Sequence, residues 1–392
     1  MDSLLGAADL TATNGTNVSG NYSNDFNQFV QPVWQITLWA VAYCNIVAVS
    51  VAGNVVVIWI ILAHKCMRTV TNYFLVNLAF AEASMSAFNT VINFAYAVHN
   101  EWYFGFVYCR FHNFFPIAAI FASIYSMTAI ALDRYMAIIH PLQQRLTSKE
   151  TRVVIGVIWV LALLLAFPQY YYSATALLPG RTVCYIDWPE YTTVDFKKIY
   201  YVCVTVLIYF LPLCIMGWAY MTVGVTLWLN AKRKVIYVSL VCFGVRQVVK
   251  MMIVVVCTFA VCWLPYHIYF LLHEFFPDLF EQRYIQQVYL AIMWLAMSST
   301  MYNPIIYYCL NGRFRSGFQQ VFCCCAPTVA QEELELKSPR YLQKQVCVVP
   351  FNGQSHCFVT TLAGDETGEK GKSPLTRTES DVLLFCWLQE SK

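Results

Sequence analysis

The chain has 392 residues, of which 59% are hydrophobic and only 12% charged, with mean hydropathy +0.52 and net charge +3. A soluble globular protein carries about 25% charged residues. The composition therefore excludes one and points to a polytopic membrane protein. The net charge says little by itself; the placement of the charges says more.

Residues 1–32 are rich in Asn, Thr, Ser and Gly and are expected to form a flexible arm. The arm carries three glycosylation sequons, at Asn14, Asn17 and Asn21. No basic–apolar–small pattern resembling a signal peptide opens the chain, so the first apolar stretch is expected to act as an internal targeting signal.

Seven apolar stretches follow: 33–63, 70–98, 111–132, 153–172, 199–229, 251–272 and 284–310. Each is long enough to span a bilayer, which takes roughly 20 residues. The expected fold is an all-α membrane protein, a seven-transmembrane helix bundle over residues 33–310. Basic residues collect between alternate stretches: Lys65 and Arg68; Arg145, Lys149 and Arg152; Lys232, Arg233, Lys234, Arg246 and Lys250; then Arg313 and Arg315. The positive-inside rule makes that side cytoplasmic and the sequon-bearing arm extracellular.

Of 16 cysteines, Cys109 and Cys184 are the two that reach the outer side. One disulfide between them is expected, with two free thiols as the alternative. Residues 311–322 suggest a short amphipathic eighth helix on the inner membrane surface, with Phe314, Phe318, Val321 and Phe322 on one face. Cys323, Cys324 and Cys325 then sit where S-acylation by palmitate is plausible. Residues 326–392 are expected to form a disordered cytoplasmic tail, with Ser373, Thr376, Thr378 and Ser380 as phosphorylation candidates.

Three motifs carry function. Asp133-Arg134-Tyr135 closes the third stretch, which is otherwise uncharged from Phe111 to Leu132. Ionisable groups there cost several kcal/mol unless paired or hydrated. Cys262-Trp263-Leu264-Pro265 lies in the sixth stretch and Asn303-Pro304-Ile305-Ile306-Tyr307 in the seventh. Each proline leaves a backbone carbonyl without its donor and kinks the helix, providing a hinge between packings of similar energy. Any one motif is an ordinary kink or a chance tripeptide. All three in these spans and this order are not chance.

On these motifs, with Trp159 and Pro212, the segment from about Gln28 to Cys325 resembles the rhodopsin-like G-protein-coupled receptors. Within them it is similar to the tachykinin receptors, through Asn27–Pro32, Arg68–Glu82, Val98–Trp102 and Met297–Tyr302. The resemblance implies a receptor for a tachykinin neuropeptide with an amidated carboxy terminus, partnered by heterotrimeric G proteins of the phospholipase C–calcium class, arrestin, receptor kinases and membrane lipid. It implies neither an enzyme, nor a cofactor, nor a nucleic-acid partner.

The residues agree with a peptide ligand. An amine receptor needs a carboxylate in the outer half of the third helix, and His112 to Ala119 contain none. Stripes of polar and aromatic residues face inward instead: Glu82, Asn89 and Asn93; Phe259, Trp263, His267 and Phe270; Tyr289, Met293, Thr300, Asn303 and Tyr307. Such a pocket suits an uncharged peptide end. By resemblance the ligand positions are Asn89, Asn93, His112, Gln169, His267, Tyr289 and Met293. The plainer role for an Asn in a span is an interhelical hydrogen bond. Tyr201 stands where the tachykinin pattern commonly has His, so contact there is altered.

Glu82 is the only carboxylate in the seven stretches and must be protonated or partnered. It reaches towards Asn54, Asn303 or Ser298. Similar receptors carry Asp at this place and bind sodium; no metal is assigned here. Arg134 has Asp133 as its only assured acidic partner, because the inner end of the sixth helix offers Lys234 and Lys250. Its lock is therefore expected to be local.

The apolar run 236–248 separates Ala231–Val235 from Val249–Met252, which are adjacent in similar receptors. It sits where a polar inner loop is expected. It reads either as an unspliced exon junction or as a genuine altered loop, and the second makes a peptide-binding but non-coupling receptor an alternative. A transporter is disfavoured by the lack of any internal repeat, and an embedded enzyme by the lack of paired acids.

Overall fold

The computed structural model describes residues 32–178, 181–189, 195–232, 236–276 and 284–322, with side chains described except at 66 and 230–247. The sequons at Asn14, Asn17 and Asn21, the Cys323–Cys325 cluster and the tail lie outside the described residues.

Among the described residues there are seven long helices. They are α1 (Val33–Ala63), α2 (Val70–His99), α3 (Gly105–Ile139), α4 (Ser148–Tyr172), α5 (Phe196–Lys232), α6 (Ile236–Phe275) and α7 (Ile285–Leu310). Six of them are long and apolar enough to cross a membrane. The remaining one, α7, has 26 residues and packs along α1 and α6. The helices close a ring in which α1 meets α2 and α7, α3 meets α2 and α5, and α6 meets α5 and α7; α4 leans on α2 and α3 from outside. Large apolar side chains such as Val107, Leu164, Met221 and Val261 face outward. Hydrocarbon makes that placement free of the cost it would carry in water.

Helix starts follow local chemistry. Thr69 accepts from the Asn72 amide at 3.3 Å, and Asp195 from the Lys198 amide at 3.1 Å. Thr147 and Glu150 form a reciprocal capping box that starts α4. Asn100 ends α2 in the left-handed region, at φ 52°.

Several boundaries differ from the hydropathy reading. Helix α3 begins at Gly105 and runs on to Ile139, so Asp133-Arg134-Tyr135 lies inside a helix rather than at its end. Apolarity marks the hydrocarbon, whereas the helical hydrogen bonds continue into the polar interface. The run 236–248 is not a loop: it is the start of α6, a continuous helix of 40 residues. At 1.5 Å per residue such a helix is about 60 Å long, twice the ~30 Å hydrocarbon. The run contains no proline to stop it.

Two single π turns, Ser86–Thr90 in α2 and Val206–Phe210 in α5, were not visible in the apolar pattern. Nor was the antiparallel hairpin of β1 (Ser173–Leu178) and β2 (Arg181–Ile186) after α4. The expected Cys109–Cys184 disulfide is formed and ties β2 to the outer end of α3. Tyr96 and Trp102 pack on it, Tyr96 donating to the Cys184 carbonyl at 2.9 Å. The eighth helix, α8 (Gly312–Phe322), buries Phe314 and Phe318 beside Tyr307 and Tyr308, whereas Phe322 faces outward.

The tightest approach is at Gly53 of α1, where a Cβ would sit 2.7 Å from the Pro304 side chain. Neither group is the far end of a flexible chain, so Gly53→Ala should cost about 1–3 kcal/mol through overpacking. Gly156→Ala, with open space around it, is the control. Thermal unfolding of the purified receptor checks this; equal midpoints for the two variants would contradict the close approach.

Candidate ligand pocket and polar relay

The seven ligand candidates come from five helices and all are buried. Asn89 and Asn93 stand on α2, His112 on α3, Gln169 on α4, His267 on α6, and Tyr289 and Met293 on α7. The π turn carries Asn89 and adjusts its direction relative to Glu82 one turn and more below. Tyr289 donates to Asn93 Oδ1 at 3.4 Å, joining α7 to α2. His112 packs at 5.2 Å on Trp102, and the Gln169 side chain meets Tyr200.

Three polar atoms of this set are buried without any partner: Asn89 Oδ1, His112 Nδ1 and His267 Nε2. Such an atom costs about 1–3 kcal/mol until something bonds to it. They stand on α2, α3 and α6. Tyr209, Tyr266 and Tyr269 complete the aromatic wall. His267 lies 4.8 Å from the Tyr209 ring and 5.5 Å from Tyr266, and Tyr269 lies 5.9 Å from Tyr289. Sequence reasoning missed these tyrosines; for Tyr266 and Tyr269 the signal available was that they flank His267 at i−1 and i+2. Tyr201, the departure from the tachykinin pattern, stacks with Phe270 at 6.2 Å.

Below the pocket a polar relay runs inward. Trp263 donates to Ser299 at 3.0 Å. Asn54 donates to the Thr300 carbonyl at 3.0 Å, the acceptor that Pro304 leaves without its helical donor. Ser86 bonds Ser50 at 2.8 Å and Thr300 at 3.0 Å. Glu82 Oε1 accepts from Asn303, one of the expected partners. Glu82 Oε2 and Asn54 Oδ1 remain without donors. These two oxygens fit either a proton on Glu82 or a small monovalent cation held between them. A bound cation would supply counter-charge to the carboxylate.

At the inner end Arg134 pairs with Asp133 at 3.2 Å. Among the described residues the ion pair is local, as expected, with one addition. Thr71 of α2 donates to Asp133 at 2.7 Å and accepts from Arg134. Its hydroxyl sits between acid and base and holds both. Asn77, also unforeseen, accepts from Trp159 and donates to Ser126, each at 2.8 Å, fastening α4 to α2 and α3. Tyr307 is fully buried beside Phe314. Among the described residues, no group of three His, Cys, Asp or Glu side chains could hold a metal ion.

The family described as "7 transmembrane receptor (rhodopsin family)" matches residues 53–307. The substance-P receptor of Meriones unguiculatus is 62% identical, over 95% of this chain and 92% of that protein. That of Homo sapiens is 60% identical, over 98% and 95%. The neuromedin-K receptor of Homo sapiens is 58% identical, over 82% and 69%. With seven long helices around this polar relay, the chain is a multi-pass membrane protein that belongs to the rhodopsin family of seven-transmembrane receptors, in the group of the substance-P and neuromedin-K receptors.

Proposed function

We propose that the chain is a plasma-membrane receptor for tachykinin neuropeptides, of the substance P (neurokinin-1) type, activating heterotrimeric G proteins of the phospholipase C–calcium class. The observation that carries this reading is the set of unpartnered buried atoms on Asn89, His112 and His267. The outer half of α3 beside them carries no carboxylate. An amide-ended apolar peptide offers donors and acceptors to these atoms and no charge to neutralise. The name of the relatives agrees with that chemistry.

Binding shifts an equilibrium between inactive and active packings that exists without ligand. His267 stands two residues beyond Pro265, the hinge of α6, and an agonist pulling on it biases that hinge. The inner end of α6 then swings from Arg134, and the carboxy-terminal helix of a G-protein α subunit enters. In this reading residues 1–32 form the extracellular glycosylated arm, 311–325 the eighth helix with its acylated cysteines, and 326–392 the tail that receptor kinases and arrestin engage.

A panel of tachykinins with a calcium readout, in cells lacking endogenous receptors, tests the reading. A response to substance P is expected, and silence towards every member would sink it. His267→Ala should weaken agonist potency about tenfold, the worth of one good hydrogen bond, with surface expression intact. Unchanged potency would remove His267 from the ligand set. Thr71→Val keeps the volume and deletes the hydroxyl between Asp133 and Arg134. Higher basal calcium signalling is expected, and an unchanged or lower basal level would contradict the role given to Thr71.

A further inference from the structure

Arg110 has no part in the pocket or the relay. It follows disulfide-bonded Cys109 near the outer end of α3. Its guanidinium carbon lies 4.3 Å from the Phe106 ring centroid and 5.4 Å from that of Tyr170 on α4. The side chain is half-buried and Nε is closed off without an acceptor. Among the described residues no carboxylate lies within ion-pair distance of it.

Its surroundings face away from the bundle. Val107 is 80% exposed, Tyr171 61% and Phe167 53%. In a membrane receptor this is the belt where aromatic side chains meet the outer headgroups. A cation at that depth is costly unless paired. Two rings from neighbouring helices attract it and hold it in place, but neither supplies an anion. A guanidinium presents its N–H donors as a planar fork, a geometry that matches a phosphate oxygen pair bidentately. The apolar rim of Val107, Phe167 and Tyr171 would lie against acyl chains, which a free phosphate ion lacks.

We infer that Arg110, framed by Phe106 and Tyr170, binds the phosphodiester of an outer-leaflet phospholipid. Lipid retained by the full-length receptor after purification can be counted by native mass spectrometry. The lipids supplied are phosphatidylcholine, phosphatidylglycerol and a diacylglycerol of the same chains. The unmodified receptor should hold either phospholipid in preference to the phosphate-free diacylglycerol. Arg110→Gln should lower that retention about tenfold, as expected for loss of a charge-assisted bond, and Arg110→Lys, which keeps the charge without the planar fork, should fall between the two. Equal retention in Arg110→Gln, or displacement of the lipid by millimolar inorganic phosphate, would overturn the assignment. A phospholipid with a photoreactive headgroup gives an independent readout on the unmodified receptor. Labelling should concentrate in 106–110 and 167–171, and an even spread over the outer belt would count against the site.

Discussion

The carbonyl of Thr300 sets a constraint on which much of the bundle depends. Hydrocarbon offers no water to a backbone group that loses its partner, and Pro304 removes the partner. Asn54 supplies the replacement from α1 at 3.0 Å, and it reaches because Gly53 beside it lets α1 close onto the proline. That approach brings Ser50, Ser86 and Thr300 into one chain of hydroxyls and sets Asn303 on Glu82. A small residue, an amide and a proline on two helices thus position the deepest carboxylate of a third.

The same logic recurs between α5 and α6. The π turn at Val206–Phe210 exposes carbonyls, and Tyr125 of α3 donates to that of Leu207 at 3.1 Å. Tyr209, within the turn, donates to the Ala260 carbonyl at 2.8 Å, just before the Pro265 kink. Its ring also lies 4.8 Å from His267. One tyrosine therefore touches a pocket residue and a hinge at once. Breaks repaired by side chains from neighbouring helices can be repaired in a second arrangement at similar cost. That is the physical basis for a bundle with two packings.

Which faces of the helices are buried was legible in advance, and the failures have specific causes. Buried stripes on α6 and α7 follow from helical spacing, because a continuous helix keeps its faces aligned. On α2 the spacing argument placed Asn89 on the buried face but missed the π turn that carries it, since an extra residue per turn leaves no mark in composition. Thr71 and Asn77 escaped notice because a single hydroxyl or amide gains importance only from what a neighbouring helix brings to it. The ends of α3 and the inner extension of α6 were misjudged for another reason: hydropathy measures the thickness of the hydrocarbon, whereas helix length is decided by backbone hydrogen bonding.

By itself the sequence determined that this chain crosses a membrane in seven spans, where the prolines interrupt them, and which two cysteines lie on the outer side. These follow from local quantities: apolar run length, missing amide donors, and the side of the membrane on which a thiol lies. Tertiary structure alone decided which buried polar atoms stay unpartnered, that Asn54 repairs the Thr300 carbonyl, and that Thr71 stands between Asp133 and Arg134. Those facts depend on distances between helices far apart in the chain, and no local pattern encodes a distance.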